Sequence, residues 1–377
     1  MKPVIVLLIW LIIFVARFFN SFQAEAKLGQ LEGREIKLVG RVSSEPLLQG
    51  RSQRLNMGRI RVIAKQYPEY EYGQKLTISG TLQRKVVNRW YSQFSLMYPD
   101  ISLMEADRWQ FIGFDWKEAV LRLKQRIELV YNTSLPEPEA SLLAGIVLGV
   151  KRNLPSKFWQ ALQRTGTLHI VVASGYNVTV VIGTTVAYLA GIFKRRTAIS
   201  LGILFVIGYT VMAGAEPAIV RAAIMGSLGY LGQMLGRKAD GVRLLTAAVA
   251  VMLIVEPMFI FDIGFQLSFL ATLGLLIVAP RLEKVFGRVW LIGKDISQTT
   301  AAQLMVWPVI FINFGQVSWF SILVNSLILW MVPIIMGLGA ILAGVGLVSA
   351  GLGQWVGWLT YVPLTVMVRV IEEFSRL

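Results

Sequence analysis

The residues with chemistry to offer concentrate between Thr167 and Thr179, in the run Thr-Leu-His-Ile-Val-Val-Ala-Ser-Gly-Tyr-Asn-Val-Thr. It opens a long apolar segment with the only histidine of the chain, then interrupts that segment with Ser174, Gly175 and Asn177. Hydrocarbon cannot hydrogen-bond a polypeptide backbone. Polar and helix-loosening residues at membrane depth are therefore tolerated only beside protein or a water-filled path, and the run predicts a pore or a buried site. His169 has two readings: a hydrogen-bonded structural residue at a membrane boundary, or a base for proton transfer. Ser174 is not set in a Gly-x-Ser-x-Gly elbow and no His-Asp pair is evident to activate it, so no catalytic residue is assigned. Gly175 is read as a point where the helix unwinds or a neighbour comes close.

Two further clusters carry charge or hydrogen-bonding capacity inside apolar sequence: Glu216 with Arg221, and Asp262 with Gln266 and Ser268. Arg221 follows Pro217, a residue suited to the first helical position, which places a cation beside a helix N-terminus whose dipole also favours anions. Phosphate binding is one chemistry this offers. The other reading is an internal ion pair with Glu216 or Asp262, because a charge in a membrane needs a partner. One histidine and no cysteine leave no histidine-rich or thiolate metal centre and no disulfide framework. No metal or cofactor is predicted. No Gly-x-x-x-x-Gly-Lys-Ser motif is present either, so an energy source is external.

The elements that must position these groups follow from composition. The 377 residues are 55% hydrophobic, with a mean hydropathy of +0.60, and apolar runs of about 17 to 25 residues recur, the length a spanning helix needs. A soluble globular protein is excluded. Spans are predicted near 170–193, 197–214, 217–235, 241–256, 264–280 and 299–314, with two or three more beyond Trp319 and a break at Pro333. The 37 basic and 22 acidic side chains, net +15, suit cytoplasmic loops beside anionic lipid or a polyanionic substrate, and charge alone does not choose.

Residues 1–26 read as an N-terminal transmembrane anchor. Ala24-Glu25-Ala26 offers a cleavage pattern, but apolar residues resume after Arg17 with Phe18, Phe19 and Phe22, which favours retention. Residues 27–112 alternate instead. Ile36, Leu38 and Val42 oppose Glu35, Lys37 and Arg41; Ile60, Val62 and Ala64 oppose Arg59, Arg61 and Lys65, with Ile63 the exception; Leu76, Ile78 and Leu82 oppose Lys75, Thr77, Ser79 and Thr81. Several short strands in one small segment predict a barrel, with the OB-fold the leading candidate. The segment holds 14 basic against 8 acidic residues. Arg59, Arg61 and Lys65, near Tyr67, Tyr70 and Tyr72, are the equipment of single-strand binding, since cations track phosphates and rings stack on bases; a solvated strand face with ordinary surface tyrosines reads equally from the same residues. Residues 113–165 are predicted as amphipathic or interfacial helices. Ala140 to Val150 among them is apolar but too short to span, hence interfacial or re-entrant. Residues 166–377 form the polytopic transmembrane part.

Orientation comes from the links. Lys194, Arg195 and Arg196, then Arg237, Lys238 and Arg243, then Arg281, Lys284, Arg288 and Lys294 lie two spans apart and so share one side, the cytoplasmic one by the positive-inside bias. That puts residues 27–165 outside the cytoplasmic membrane. It also gathers His169, Ser174, Gly175, Asn177, Glu216, Arg221, Asp262, Gln266 and Ser268 at the outer ends of their spans, as a candidate channel entrance. The fold class read from the sequence is a polytopic α-helical membrane protein with an inserted small extracytoplasmic all-β, OB-like domain.

Leu168-His169 through Ser174-Gly175-Tyr176-Asn177, the segment from Pro217 through Arg221-Ala222 to Gly236-Arg237, and Gly264-Phe265-Gln266-Leu267-Ser268-Phe269 resemble, in this order, the competence domain of the ComEC family of DNA-uptake channels. With the preceding OB-like domain the resemblance covers nearly all of residues 1–330. It implies a channel that passes one strand of incoming DNA into the cytoplasm during transformation, with single-stranded DNA and membrane lipid as partners and a separate cytoplasmic motor or helicase, a DNA receptor and a nuclease as further ones. Two features depart from the family. Many relatives carry a metallo-β-lactamase-like domain, whose metal ligands one histidine cannot supply, so no enzymatic activity is expected of these residues and strand degradation falls to another protein. Asn177 stands where the family pattern commonly has histidine, so no ionisable group is available there. Two rivals make different use of the same residues: a membrane-embedded transferase or hydrolase with His169 as base, and a transporter of another anionic polymer.

Overall fold

In a computed structural model that describes residues 2–49, 52–88, 91–103, 116–150, 154–171, 174–286, 293–315 and 321–376, the chain divides into two compact units. One comprises Met1–Arg122 and Ala250–Asp262, the other Leu123–Val249 and Ile263–Leu377. The boundary expected at residue 112, together with Arg288 and Trp319, lies outside the described residues.

The first unit opens with helix α1 (Lys2–Gly29), an apolar run with one basic residue, Arg17, at its middle. Trp10, Phe14, Phe18 and Phe22 are spaced by four and so fall on one face; their successive ring centroids are 5.3, 5.9 and 6.4 Å apart. The segment Ala250–Asp262 lies against this helix. Trp10 Nε1 donates to the Ala250 carbonyl at 3.0 Å, Arg17 Nη2 to that of Val255 at 2.8 Å, and Phe18 meets Phe261 in the 3-10 turn Pro257–Phe261.

Seven strands follow: β1 (Glu35–Arg41), β2 (Leu47–Gln49), β3 (Ser52–Met57), β4 (Ile60–Lys65), β5 (Lys75–Asn88), β6 (Tyr91–Met97) and β7 (Asp100–Leu103). The alternation of the sequence is the alternation of burial: Leu55, Val62, Leu76, Ile78, Leu82 and Leu96 have no exposed surface, while Arg61, Ile63 and Lys65 share the other side of β4. Period two puts Ile63 there whatever its polarity. Antiparallel pairing joins β1 to β5, β5 to β6, and β4 to β3 to β2; β6 and β4 are parallel, and β7 pairs β5. Beyond β1 the Ser43 N–H donates to the Asn56 carbonyl of β3 at 2.8 Å, so the pairing runs round toward its own start.

The second unit is helical: most of α2 (Trp116–Ser134), α3 (Glu139–Leu148), α4 (Ser156–Thr165), α5 (Leu168–Val171), α6 (Gly175–Ala190), α7 (Arg195–Met212), α8 (Pro217–Met234), the part of α9 (Gly241–Val255) before Ala250, α10 (Ile263–Ile277), α11 (Ala279–Phe286), α12 (Gly293–Phe314), α13 (Ser321–Ile328), α14 (Val332–Val348) and α15 (Ala350–Arg376). All ten residues of α3 are buried, whereas an interfacial helix leaves one face to solvent. This helix sits in the core, packed on α14 and α15; Tyr131 of α2 seals the same cluster with its hydroxyl donated to the Gly339 carbonyl at 2.9 Å.

Among the described residues four helical stretches are long and apolar enough to cross a membrane: Leu8–Gly29, Leu168–Ala190, Arg195–Met212 and Ser321–Val348. A fifth joins them if α10 and α11, bent by 47°, form one span. The expected spans at 217–235 and 299–314 are helices too, but Arg221 and Gln233 dilute α8, and Ser297, Thr299, Gln303 and Asn313 dilute α12. The break expected at Pro333 is a 3-10 turn, Leu329–Met331, after which proline takes the first turn of α14.

Helices α10 and α12 approach closely at Gly274, where a Cβ would lie 2.6 Å from the Ala301 carbonyl oxygen. Backbone cannot step aside as a side chain can. Gly274→Ala is expected to cost about 1–3 kcal/mol through overpacking, read as a lower unfolding midpoint of the purified protein in detergent; an unchanged midpoint would mean the two helices separate freely.

Candidate functional site

The apolar segment that begins at Leu168 is broken as its sequence predicts. Helix α5 (Leu168–Val171) precedes Ser174, whose extended backbone (φ −101°, ψ 164°) interrupts the segment and makes it the N-cap of α6. Its hydroxyl accepts the Asn177 N–H at 3.4 Å and donates to Asn177 Oδ1 at 3.0 Å, the arrangement that satisfies one of the orphan donors of a helix start. Asn177 is 1% exposed, and its Nδ2 donates to the Ile146 carbonyl of α3 at 2.9 Å. The side chain thus pins the first turn of α6 to the core.

Gly175 faces α8. A Cβ at this position would lie 2.7 Å from Arg221 Nη2, 3.3 Å from Ala222 Cβ and 3.4 Å from the Ala218 carbonyl oxygen. Arg221, only 8% exposed, donates through Nε to Ser268 Oγ of α10 at 2.7 Å and through Nη1 to Met225 Sδ at 3.3 Å. Among the described residues of its own unit no carboxylate pairs with it, and the ion pair with Glu216 is not formed. Three helices therefore bring Gly175, Arg221 and Ser268 together, with Ser174 and Asn177 adjoining. A thioether is a weak acceptor, and a hydroxyl brings no charge. The guanidinium keeps its full positive charge beside the positive end of the α6 dipole.

His169 is exposed on α5, and Nδ1 donates to the Gly166 carbonyl at 3.1 Å; Ser174 gives its proton to Asn177, so no nucleophile and base are paired. Glu216 is the N-cap residue of α8, without a side-chain capping bond. Gln266 is half-buried on α10, two residues ahead of Ser268. Asp262 belongs to the first unit, where it ends the turn Pro257–Phe261. Among the described residues no group of three histidine, aspartate or glutamate side chains is placed to hold a metal ion.

In the β domain only part of the expected basic face is a face. Arg59 sits in the two-residue turn between β3 and β4, which Gly58 (φ 60°) begins. Its Nη1 and Nη2 donate to the carbonyl and the hydroxyl of Ser21 in α1 at 2.8 and 2.9 Å, and Glu256 lies 3.9 Å away. Arg61 lies on the outer side of β4, with Nη1 donating to Gln93 Oε1 at 2.6 Å; Lys65 and Tyr67 are exposed at its end. Tyr70 is in the core of the β domain and offers no ring for stacking.

Sequence reasoning missed the Ile146 carbonyl, since a backbone acceptor has no residue signature. Two signals were present: Met225 stands four residues after Arg221, hence on the same helix face, and Ala218, Ala222 and Gly226 recur every four residues as a small-residue track on which another helix can lie closely. Gly226 fits that track, its missing Cβ falling 3.3 Å from Ile182 of α6.

Residues 146–377 match the family described as Competence protein. Over 221 residues the chain is 26% identical to ComE operon protein 3 of Bacillus subtilis (strain 168), an alignment covering 58% of this chain and 28% of that protein. Over 134 residues it is 30% identical to an uncharacterized protein of Aquifex aeolicus (strain VF5), covering 35% of this chain and 32% of that one. The chain thus covers about a third or less of the length of each of these relatives. No solved structure matches it.

Proposed function

The chain belongs to the Competence protein family, and from that membership we propose that it acts in DNA uptake during natural transformation, as a conduit passing one strand through the cytoplasmic membrane. The observation that carries this reading is Arg221. An arginine inside a helical membrane unit ordinarily holds a carboxylate or lines a water-filled path; this one holds a hydroxyl and a thioether, so its charge is available to an anion that is not part of the protein. The basic links at 194–196, 237–243 and 281–294 support an orientation in which residues 27–165 lie outside.

The β domain fits as the collector. Its strand order, with the parallel β4–β6 pair and the Ser43–Asn56 bond, supports the OB-like reading. Arg61, Lys65 and Tyr67 are the cations and ring that would hold a strand on its outer side. Replacing Arg61 and Lys65 by glutamine in the full chain is expected to weaken binding of a thymidine oligomer and to lower the slope of log affinity against log salt by about 0.7 for each phosphate that the protein then leaves unneutralised. An unaltered slope would leave the face without a role in binding.

A separate motor or helicase, a DNA receptor and a nuclease complete the scheme as partners. The test is made in a transformable host whose own protein is replaced by this one. With the chain present, labelled DNA should reach the cytoplasm; without it, DNA should still bind the surface but not cross. Crossing that is independent of the chain overturns the proposal.

A further inference from the structure

We propose that Arg59 is a positioning residue for strand uptake: it fixes the β3–β4 hairpin, and with it the outer side of β4, to helix α1, so that a strand held there is presented in one orientation. The inference rests on the conduit reading for its purpose; the mount itself is built wholly from residues of the first unit. Two separate attachments join the strands to α1. At the root, Leu28 in the last turn of α1 packs against the buried side of the strands, and the Gly33 N–H donates to the Leu82 carbonyl at 2.9 Å. At the tip, Arg59 Nη1 and Nη2 donate to the carbonyl and the hydroxyl of Ser21 at 2.8 and 2.9 Å. The two attachments are about 10 Å apart along the helix. A body held at one place pivots, and one held at two such places does not.

The tip contact is built as a joint. Among the described side chains of α1 that of Ser21 alone is buried, and its small size leaves the backbone within reach of a guanidinium. Two donors of one planar group on two acceptors of one residue set direction as well as distance. Glu256, 3.9 Å from Nη2, brings the segment Ala250–Asp262 to the same point; both side chains of that pair are more than a third exposed, so it contributes little and Ser21 carries the joint. From the tip onward the hairpin is one ladder, paired from Met57–Ile60 to Ser52–Lys65. Arg61 and Lys65 therefore move with Arg59 as a single piece about 20 Å long. With both terminal nitrogens on Ser21, Arg59 orients the binding side and is not itself a contact of the strand.

The experiment uses the full chain, which has no cysteine, carrying Ala16→Cys on α1 and Val39→Cys on β1, both exposed positions, each with a nitroxide label. Pulsed electron resonance in detergent should give one narrow distance distribution. Arg59→Gln should broaden it; Ser21→Leu, which fills the space the guanidinium uses, should do the same, and Arg59→Lys, which keeps one charged donor, should do so less. Affinity for a thymidine oligomer and its dependence on salt should stay those of the parent in all three, which a binding residue would not allow. In the transformable host Arg59→Gln should import about ten-fold less labelled DNA at equal abundance, the scale of a hydrogen bond to a charged group, and Ser21→Cys with Arg59→Cys, joined by a short bismaleimide, should regain import. A distribution in Arg59→Gln as narrow as the parent's would overturn the mount. So would a weakened oligomer affinity, which would return Arg59 to the binding side. Broad distances with parental import would end its part in uptake and leave the conduit reading standing; a parent chain that imports nothing sinks that reading, and the distances then decide the mount alone.

Discussion

A host carrying Arg221→Ala is expected to bind DNA at its surface as the parent does and to import about ten- to a hundred-fold less. A hydrogen bond to a charged group contributes about 1.5–3 kcal/mol, and about 1.4 kcal/mol is a factor of ten. The loss should appear in transport and not in abundance, for a physical reason. In the unliganded protein the guanidinium is buried without a counter-ion, so removing it relieves a desolvation cost while giving up one bond to Ser268 and one weak interaction with Met225. A site that costs stability and serves function is the usual trade. Undiminished import, or a protein that disappears from the membrane, would show that Arg221 holds helices together and nothing more.

Asn177→Leu should produce the opposite pattern, a loss of stability of about 2–4 kcal/mol with any transport defect following from it. The leucine strands the Ile146 carbonyl, whose partner Asn177 is only 1% exposed, at about 1–3 kcal/mol for a buried group left unpaired, and takes the acceptor from the half-buried Ser174 hydroxyl, a further loss of about 1 kcal/mol. The unfolding midpoint in detergent measures this. Asn177→His retains a donor that can reach toward the Ile146 carbonyl and should lose less. Were Asn177 to touch the strand directly, leucine would reduce import at an unchanged midpoint.

Residues of the β domain show what a sequence discloses and what it withholds. Parity assigned Ile60, Val62 and Ala64 to the interior, and they are buried, because a strand offers two sides and nothing else. Arg59 has the parity of Arg61 yet belongs to the turn at Gly58, and its partners lie in α1; alternation carries no mark of where a hairpin ends. The interruption of the segment at Ser174 was legible because capping is a local matter between residues three apart. Arg221 illustrates the reverse. Glu216, five residues away, was the near candidate, and the partner is Ser268 on another helix. Such a choice is made by helix packing, which local pattern does not encode. Helix α3 was ambiguous for a related reason: an element buried on every side has no periodicity to reveal its face.

The discontinuity of the first unit sets an order of assembly. The ring ladder of α1, the Trp10 indole and the Arg17 guanidinium are met by residues 250–262, which leave the ribosome long after α1 and the seven strands have been made. These groups of α1 therefore wait without their partners while helices α2 to α8 are synthesised, until the late segment returns to close the unit.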